Sequence, residues 1–191
     1  LVNSSRTYTN KGRILAIDNH ESVSISEIDA FMKKTLTVSM ENDIPCFHNA
    51  WDPIFFQHKM IIADAIHFMD YHHGKIHPSV ILENGDNIFI GNNAQIRPGV
   101  ILDASSGPII LADDVYVDIG ALIQGPVFIG PGSSINPGAK LRKNISLGPM
   151  CKIGGEVEDI IFQGYGNKQH DGFLGHSYVG EWVNLGANTN N

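Results

Sequence analysis

Residues 111–157 read LADDVYVDIGALIQGPVFIGPGSSINPGAKLRKNISLGPMCKIGGEV, and this stretch decides the fold. Large aliphatic residues recur in it at every sixth position without a slip, and a smaller side chain follows each of them four residues later. An amphipathic helix would repeat every 3.6 residues, and a two-faced strand would alternate at every second residue. The aliphatic positions are Leu111, Val117, Ile123, Ile129, Ile135, Leu141, Leu147 and Ile153.

This repeat predicts an all-β solenoid, a stack of coils built from short parallel strands. Glycine and proline lie between the aliphatic positions, as in Ile129-Gly130-Pro131-Gly132, and both residue types favour turns. Three six-residue units close one coil, and neighbouring coils stack at the strand spacing of about 4.8 Å. Each coil bonds only to its neighbours, so stability accumulates coil by coil.

The repeat extends upstream, where Ile76 and Ile96 fit the aliphatic position. The step from Leu102 to Leu111 is nine residues, which predicts a small insertion at a corner around residues 105–108. We therefore expect the solenoid to begin near residue 76.

Downstream, the phase of the repeat breaks after Val157. Residues 163–171 are polar and glycine-rich, and the pattern resumes with Phe173, Val179 and Leu185. Repeat proteins often loop out binding residues on one face. The break is therefore the predicted functional segment.

The first 75 residues lack the repeat and are predicted to be a partly helical lead-in or linker that packs on the first coil, followed by the β-helix over residues 76–191. Asp52 and Pro53 are a helix-start signal, and a weaker helix is expected over residues 26–36. The apolar face predicted for the first helix consists of Ile54, His58, Ile61, Ile62, Ala65, Ile66 and Met69. Because the chain begins without Met and ends without a closing element, we expect truncation at both ends.

The composition excludes several classes of partner. The 191 residues include 13 Lys+Arg and 20 Asp+Glu, for a formal net charge of −7. An acidic chain does not suit the phosphate backbone of a nucleic acid or an anionic membrane surface, and no apolar run is long enough to span a membrane. Cys46 and Cys151 lie far apart without metal-ligand spacing, which indicates a reducing cytoplasm.

No metal site is expected. Four histidines, His67, His72, His73 and His77, lie close together in the sequence, but their spacing does not match a zinc site. A solvated helix end is the simpler interpretation.

The segment around the break resembles one enzyme family. It contains Ile153-Gly154-Gly155-Glu156, then the string Gly-Tyr-x-Asn-Lys-x-His-Asp-Gly-Phe-Leu-Gly over residues 164–175, then Val179-Gly180-Glu181-Trp182-Val183-Asn184. These motifs resemble the hexapeptide-repeat, left-handed β-helix domain at the C-terminal end of the bifunctional N-acetylglucosamine-1-phosphate uridyltransferase/glucosamine-1-phosphate acetyltransferase. They are also similar to shorter bacterial sugar nucleotidyltransferases. The left-handed coil direction comes from this resemblance.

The resemblance implies a set of site residues. His170 falls at the position of the catalytic base, and Asn184 and Ala187 fall where the family lines its acetyl and sugar pocket. Phe173 replaces a tyrosine of the bifunctional enzyme, so a hydroxyl contact is missing. Where that enzyme holds the sugar phosphate with a lysine, Ile160 is the nearest equivalent, and Lys168 is the candidate substitute.

The chemistry of acyl transfer fits His170. A neutral imidazole can take the proton of an attacking amine, and backbone N–H groups near Leu185-Gly186-Ala187 can stabilise the oxyanion. The alternative is a loop histidine bonded to its neighbours, and His176 is a weaker candidate of the same kind. Four cations around one coil either meet CoA phosphates or face solvent: Lys140, Arg142, Lys143 and Lys152. Tyr165 and Trp182 stack on a nucleotide or sugar, or pack at a coil edge.

Two functions follow as hypotheses. The first is a cytoplasmic, homotrimeric acetyltransferase domain that uses acetyl-CoA and an amino sugar phosphate or nucleotide sugar in cell envelope biosynthesis. The second is a non-catalytic trimerisation or effector-binding domain of a sugar-1-phosphate nucleotidyltransferase, whose catalytic domain, and the Mg²⁺ it needs, would lie outside this chain.

Overall fold

The chain divides into two compact units, Leu1–His48 and Asn49–Asn191. The computed structural model describes residues 6–10, 13–18, 24–40, 47 and 49–191. Cys46 lies outside these described residues.

The N-terminal unit contains a small mixed sheet. Strand β1 (Arg6–Asn10) pairs antiparallel with β2 (Arg13–Asp18) and parallel with β3 (Leu36–Ser39), which gives the strand order β2-β1-β3. A 3₁₀ turn at Ile25–Glu27 leads into the short helix α1 (Ile28–Met32).

This sheet was not anticipated in a region predicted to be partly helical. The helix expected over residues 26–36 ends at Met32, whose carbonyl accepts a hydrogen bond from the Thr35 hydroxyl at 2.9 Å. The next residues include Thr37 and Val38, whose β-branched side chains favour a strand. A local preference for strand therefore shortens the helix.

The C-terminal unit begins with the helix α2 (Asp52–Asp64), which continues as a 3₁₀ turn over Ala65–Phe68. The helix begins where the sequence predicts, with Pro53 in its first turn. Asp52 is its first residue rather than its cap. The Asp52 carboxylate accepts hydrogen bonds from the backbone and side-chain N–H groups of Asn49, at 3.0 and 3.2 Å.

The remainder of this unit is a solenoid of about six coils. Its strands are β4 (Lys75–Ile76), β5 (Ile81–Glu83), β6 (Ile88–Ile90), β7 (Gln95–Ile96), β8 (Ile101–Asp103), β9 (Ile109–Leu111), β10 (Tyr116–Val117), β11 (Leu122–Gln124), β12 (Val127–Ile129), β13 (Ser134–Ile135), β14 (Lys140–Leu141), β15 (Ile145–Leu147), β16 (Lys152–Ile153), β17 (Glu156–Phe162), β18 (Asn167–Lys168) and β19 (Phe173–Val179).

The strands form three faces of a prism. The first face stacks β4, β7, β10, β13, β16 and β18 in parallel. The second stacks β5, β8, β11 and β14, and the third stacks β6, β9, β12 and β15. The long strands β17 and β19 each run across both the second and the third face, which joins these faces in the last two coils. The predicted parallel β-solenoid is confirmed.

The interior is the predicted aliphatic stack. Each residue of the six-residue series from Leu111 to Ile153 is fully buried. Ile135, for example, lies between Val117 and Ile153 on the first face. The smaller positions are buried as well. Among them, the backbone N–H of Cys151 donates to the Ser133 hydroxyl at 2.9 Å, and the Cys151 thiol is free.

Helix α2 covers the outer side of the third face. Ile61 packs there with Phe89 and Ile110, the central residues of β6 and β9. Further down the stack, α2 also approaches β15, β17 and β19, so it runs along many coils rather than on the first alone. The predicted helix face is only partly correct. Ile54, Gln57 and Ile61 are buried, whereas Ile62, Ile66 and Met69 are exposed.

None of the helices in the described part of the chain combines the length and the apolar content that a membrane span needs.

Candidate functional site

A lysine occupies an interior position in the coil where the phase of the repeat breaks. Lys168 pairs with Ile153 in the parallel ladder between β16 and β18, so it occupies the same interior column of the first face. Only 1% of Lys168 is exposed. Lys168 follows Ile153 by 15 residues, whereas Ile153 follows Ile135 by 18, so this coil is three residues shorter and also places a lysine at an interior position.

The ammonium group of Lys168 is fully hydrogen-bonded inside the coil. It donates to the carbonyls of Gly154 (3.1 Å), His170 (3.1 Å) and Gly172 (2.8 Å). An ammonium has three N–H donors, and each of them meets one carbonyl. Burial lowers the pKa of Lys168, and the nearby Asp171 carboxylate partly offsets this.

His170 lies at the exposed corner between β18 and β19. Its backbone carbonyl is held by Lys168 below, while its imidazole makes no hydrogen bond to any described residue. The flanking carbonyls are also held. Gln169 accepts from the side-chain amide of Asn136 at 3.0 Å, and Asp171 accepts from the backbone N–H of Asn188 at 3.0 Å. The loop is thus anchored, and the imidazole faces solvent.

Phe173 and Ala187 lie beside this corner. Phe173 begins β19 directly after the loop, and its backbone N–H donates to the Asn190 side chain at 2.6 Å. Ala187 lies in the next turn of the stack, where its neighbour Asn188 bonds to Asp171. Both residues therefore lie near His170, one on its own coil and one on the next.

Asn184 lies one strand position away, on the first face. It forms a parallel bridge with Asn167, and its side chain is exposed. The bridge extends the ladder of the first face beyond β18. Asn184 is therefore level with the start of β18, whereas the His170 corner follows the end of β18.

Of the interior positions predicted after the break, Val179 and Leu185 are correct and Phe173 is wrong by one residue. Leu174, not Phe173, pairs with Val157 and is buried, whereas Phe173 pairs with Glu156 on the outer side. Since alternate strand residues point to opposite sides, a slip of one residue exchanges interior and exterior. The outward position of Phe173 is the one that a substrate contact requires.

The predicted direct contact between Lys168 and a substrate phosphate is not supported. All three ammonium hydrogens are used inside the coil. Ile160 is likewise an interior residue with no exposed surface, paired with Ile145. Neither residue presents a cation at the surface.

A groove runs along the second face beside the His170 loop. Its lining includes Lys140, Glu156, Asp171, Gly172 and Phe173. Glu156 is paired with Arg142 at 3.3 Å, and Arg142 also approaches Glu158 at 3.6 Å. Lys140 forms no ion pair with any described residue, so it is the unpaired cation of the groove.

His176 lies at a different corner, between the second and third faces. Its imidazole is 3.5 Å from the Asp159 carboxylate, which also accepts a hydrogen bond from the Asn144 side chain at 2.6 Å. No hydrogen bond or ion pair among the described residues connects it with the His170 loop. It is therefore a suitable internal comparison for His170.

Tyr165 and Trp182 stack on each other. Their ring centroids are 4.5 Å apart and their planes differ by 8°. Of the two interpretations open from the sequence, this geometry favours packing between successive coils at a corner. Both rings keep an exposed surface.

Among the described residues, no group of three or more His, Cys, Asp or Glu side chains is arranged to hold a metal ion. His72, His73 and His77 are each exposed.

Two residues of the site were missed from the sequence. Asn136 lies two coils before the loop that it anchors, and no local pattern marks it. Lys140 was noted only as one of four cations around a coil. Its absence of an ion pair, beside a groove, distinguishes it from Arg142 and could be recognised only in three dimensions.

The chain is similar to several proteins named bifunctional protein GlmU. It is 37% identical over 118 residues to the protein of Geotalea uraniireducens, and the aligned region covers 60% of this chain and 24% of that protein. It is 34% identical over 115 residues to that of Nocardia farcinica, covering 52% and 23%. It is 27% identical over 150 residues to that of Wigglesworthia glossinidia brevipalpis, covering 70% and 30%.

This similarity confirms the resemblance predicted from the motifs. The chain spans about a quarter of the length of these curated relatives. No family model matches the chain.

Proposed function

We propose that this chain is a left-handed β-helix acetyltransferase domain that transfers an acetyl group from acetyl-CoA to the amine of an amino sugar phosphate. The observation that carries the proposal is the anchored corner at His170, which exposes an unpartnered imidazole beside a groove. The similarity to the C-terminal part of the GlmU proteins supports a transferase of this kind.

In the proposed reaction, His170 is the general base. The amine nitrogen of the sugar attacks the thioester carbonyl carbon, and a C–N bond forms. The imidazole takes the proton that the nitrogen loses. The tetrahedral intermediate then collapses, the C–S bond breaks, and the CoA thiolate leaves. A neutral imidazole is chemically suited to accept this proton.

The other predicted residues are assigned to binding. Phe173 and Ala187 lie on successive coils beside His170 and would contact the sugar and the acetyl group. Asn184 would line the pocket from the first face. Lys168 would act through the loop backbone rather than by touching substrate, since its ammonium is used internally.

The wider assignments follow from the same resemblance. We propose a homotrimer, located in the cytoplasm, that serves cell envelope biosynthesis. A nucleotide sugar is the alternative acceptor. Mg²⁺ would be needed only by a nucleotidyltransferase domain outside this chain.

The test is consumption of acetyl-CoA with glucosamine 1-phosphate by the intact protein. His170→Ala should lower the rate about 10²–10⁴-fold, the usual contribution of a positioned base. His176→Ala is the matched control and should keep the wild-type rate, because His176 lies at another corner. A His170→Ala variant that is as active as wild type would refute the role of His170.

A second function is favoured by one observation. Ile160, at the position where the bifunctional enzyme holds phosphate with a lysine, is buried and carries no charge. On this alternative the domain is a non-catalytic trimerisation or effector-binding module. It would be supported if the intact protein made nucleotide sugars and consumed no acetyl-CoA with any amino sugar phosphate.

A further inference from the structure

The His170 loop has an unusual division of its backbone polar groups. Each carbonyl from Lys168 to Gly172 accepts a hydrogen bond. Lys168 accepts from the Gly154 N–H at 2.6 Å, and Gly172 accepts from the Glu156 N–H at 3.1 Å as well as from the lysine ammonium. The carbonyls of the three residues between them are held by Asn136, Lys168 and Asn188.

The backbone N–H groups of the same loop, in contrast, have no hydrogen-bond acceptor among the described residues. The backbone N–H groups of residues 169–172 donate to no acceptor within the described residues. Gln169, His170 and Asp171 are exposed and Gly172 is half-buried, so the loop lies at the surface. A run of backbone N–H groups without acceptors is a site of partial positive charge, suited to an anion.

Two cations lie beneath and beside the loop. The buried ammonium of Lys168 lies under the carbonyls of His170 and Gly172. Lys140, which has no ion pair with a described residue, lines the adjoining groove together with Gly172. Two carboxylates line the same groove: Glu156, whose charge is paired with Arg142, and Asp171, which is exposed and opposes an anion.

We infer that the loop of residues 169–172 binds a phosphoryl group, with its backbone N–H groups as donors and Lys140 as the cation beside it. This would explain how a chain with a buried isoleucine at position 160 holds a phosphorylated ligand. The phosphoryl group comes either from the acceptor sugar phosphate or from CoA. The assignment of these two ligands rests on the proposed function, whereas the phosphate site itself does not.

The experiment is titration of the 191-residue chain with inorganic phosphate, followed by the amide signals of residues 169–172 in NMR spectra and by calorimetry. In the wild-type chain these amides should shift together and saturate. Lys140→Met should weaken phosphate binding about tenfold, the loss of one charge-assisted contact. Lys143→Met, which makes the same charge change at another corner, should bind phosphate within about twofold of wild type.

Two further variants test the loop itself. Lys168→Met should weaken phosphate binding, because it removes the ammonium below the loop while placing an unbranched apolar side chain in an otherwise aliphatic column. Asp171→Asn should strengthen binding. Amides of residues 169–172 that do not respond to phosphate would overturn the inference. So would a Lys140→Met variant that binds phosphate as tightly as wild type, even if Lys168→Met fails to fold.

Competition identifies the source of the phosphoryl group. Displacement of phosphate by glucosamine 1-phosphate but not by acetyl-CoA assigns the site to the acceptor, and the reverse assigns it to the donor. Displacement by neither would overturn the link to acyl transfer. Phosphate binding without any acetyl transfer would refute the proposed function and leave the phosphate site standing.

Discussion

The side chain of Asn136 reaches across one whole coil to hold Gln169, with 3.0 Å between the Asn136 Nδ2 and the Gln169 carbonyl oxygen. Gly154 occupies the coil between them. A Cβ on Gly154 would lie 2.2 Å from that carbonyl oxygen and 3.3 Å from the Asn136 amide. The contact therefore exists because the intervening residue has no side chain.

Loss of this contact should loosen the His170 loop. We expect Asn136→Ala to cost about 1 kcal/mol of stability and to lower the ¹⁵N order parameters of residues 169–172. Asn136→Asp keeps the size of the side chain but places a carboxylate oxygen, which cannot donate a hydrogen bond, against the Gln169 carbonyl oxygen. It should therefore loosen the loop more than Asn136→Ala does. Equal order parameters in all three proteins would mean that Asn136 does not restrain the loop.

The carbonyl cage of Lys168 depends on Gly155. A Cβ there would lie 2.8 Å from both the Lys168 Nζ and the Gly172 carbonyl oxygen. Gly138 is a matched control, since its φ of +67° is almost the same as the +68° of Gly155 and its surroundings are open. Gly138→Ala should cost about 1 kcal/mol from backbone strain alone. Gly155→Ala should cost about 2 kcal/mol more, in chemical denaturation, because the cage must move.

The narrow interior should not tolerate a charge. Ile129 has no exposed surface, and Ile129→Asp should destabilise the protein by at least about 4 kcal/mol, because it buries a carboxylate without a partner. Ile119, which is 50% exposed, provides the same chemical change at the surface. Ile119→Asp should stay within about 0.5 kcal/mol of wild type in denaturant titrations. A stable Ile129→Asp protein would contradict the solenoid interior.

The buried ammonium makes stability depend on pH in alkaline solution. Burial lowers the pKa of Lys168, so on raising the pH the folded protein releases this proton before the unfolded chain does. The unfolded state then holds more protons, and the stability of the folded state rises with pH up to the ordinary lysine pKa of about 10.4. The free energy of unfolding of wild type, relative to Lys168→Met, should therefore increase from neutral pH towards pH 10. A difference that is constant over this range would mean that burial does not lower the pKa of Lys168.

The proposed trimer has a direct test. The flat faces and the unpaired strand edges of a solenoid favour closed self-association. Sedimentation equilibrium should report a mass three times that of the 20.9 kDa chain. A monomer at micromolar concentration would refute both the trimer and a site shared between subunits.

The aliphatic interior was predictable because each coil repeats the same residue class at the same position. The interior positions of Ile129 and Ile135 follow from their separations from Leu111, which are multiples of six residues. Lys168 could not be recognised in this way, because it follows Ile153 by 15 residues instead of 18 and is not aliphatic. It is tolerated only because three carbonyls, two of them from the following turn, surround its ammonium.

The one-residue slip at Phe173 has a related cause. Phe173 and Leu174 are adjacent and apolar, so both fit an interior position once the count has been interrupted. The ladder to Glu156 and Val157 decides between them. The sequence also contains a sign of the helix that covers the third face. Phe89, Ile110 and Phe128 are apolar although they lie at outward-pointing positions, where they pack against the region of α2.

The free thiol of Cys151, in the interior of the solenoid, can also report on how often the stacked coils open. Cys151 is completely buried, its backbone is tied to Ser133 on the preceding coil, and burial raises the pKa of its thiol. A thiol-modifying reagent can therefore react with it only while neighbouring coils have parted. In a Cys46→Ser background, the rate at which the reagent labels Cys151 would measure directly how often neighbouring coils separate. It would measure how often the coils around β16 separate without unfolding of the whole molecule.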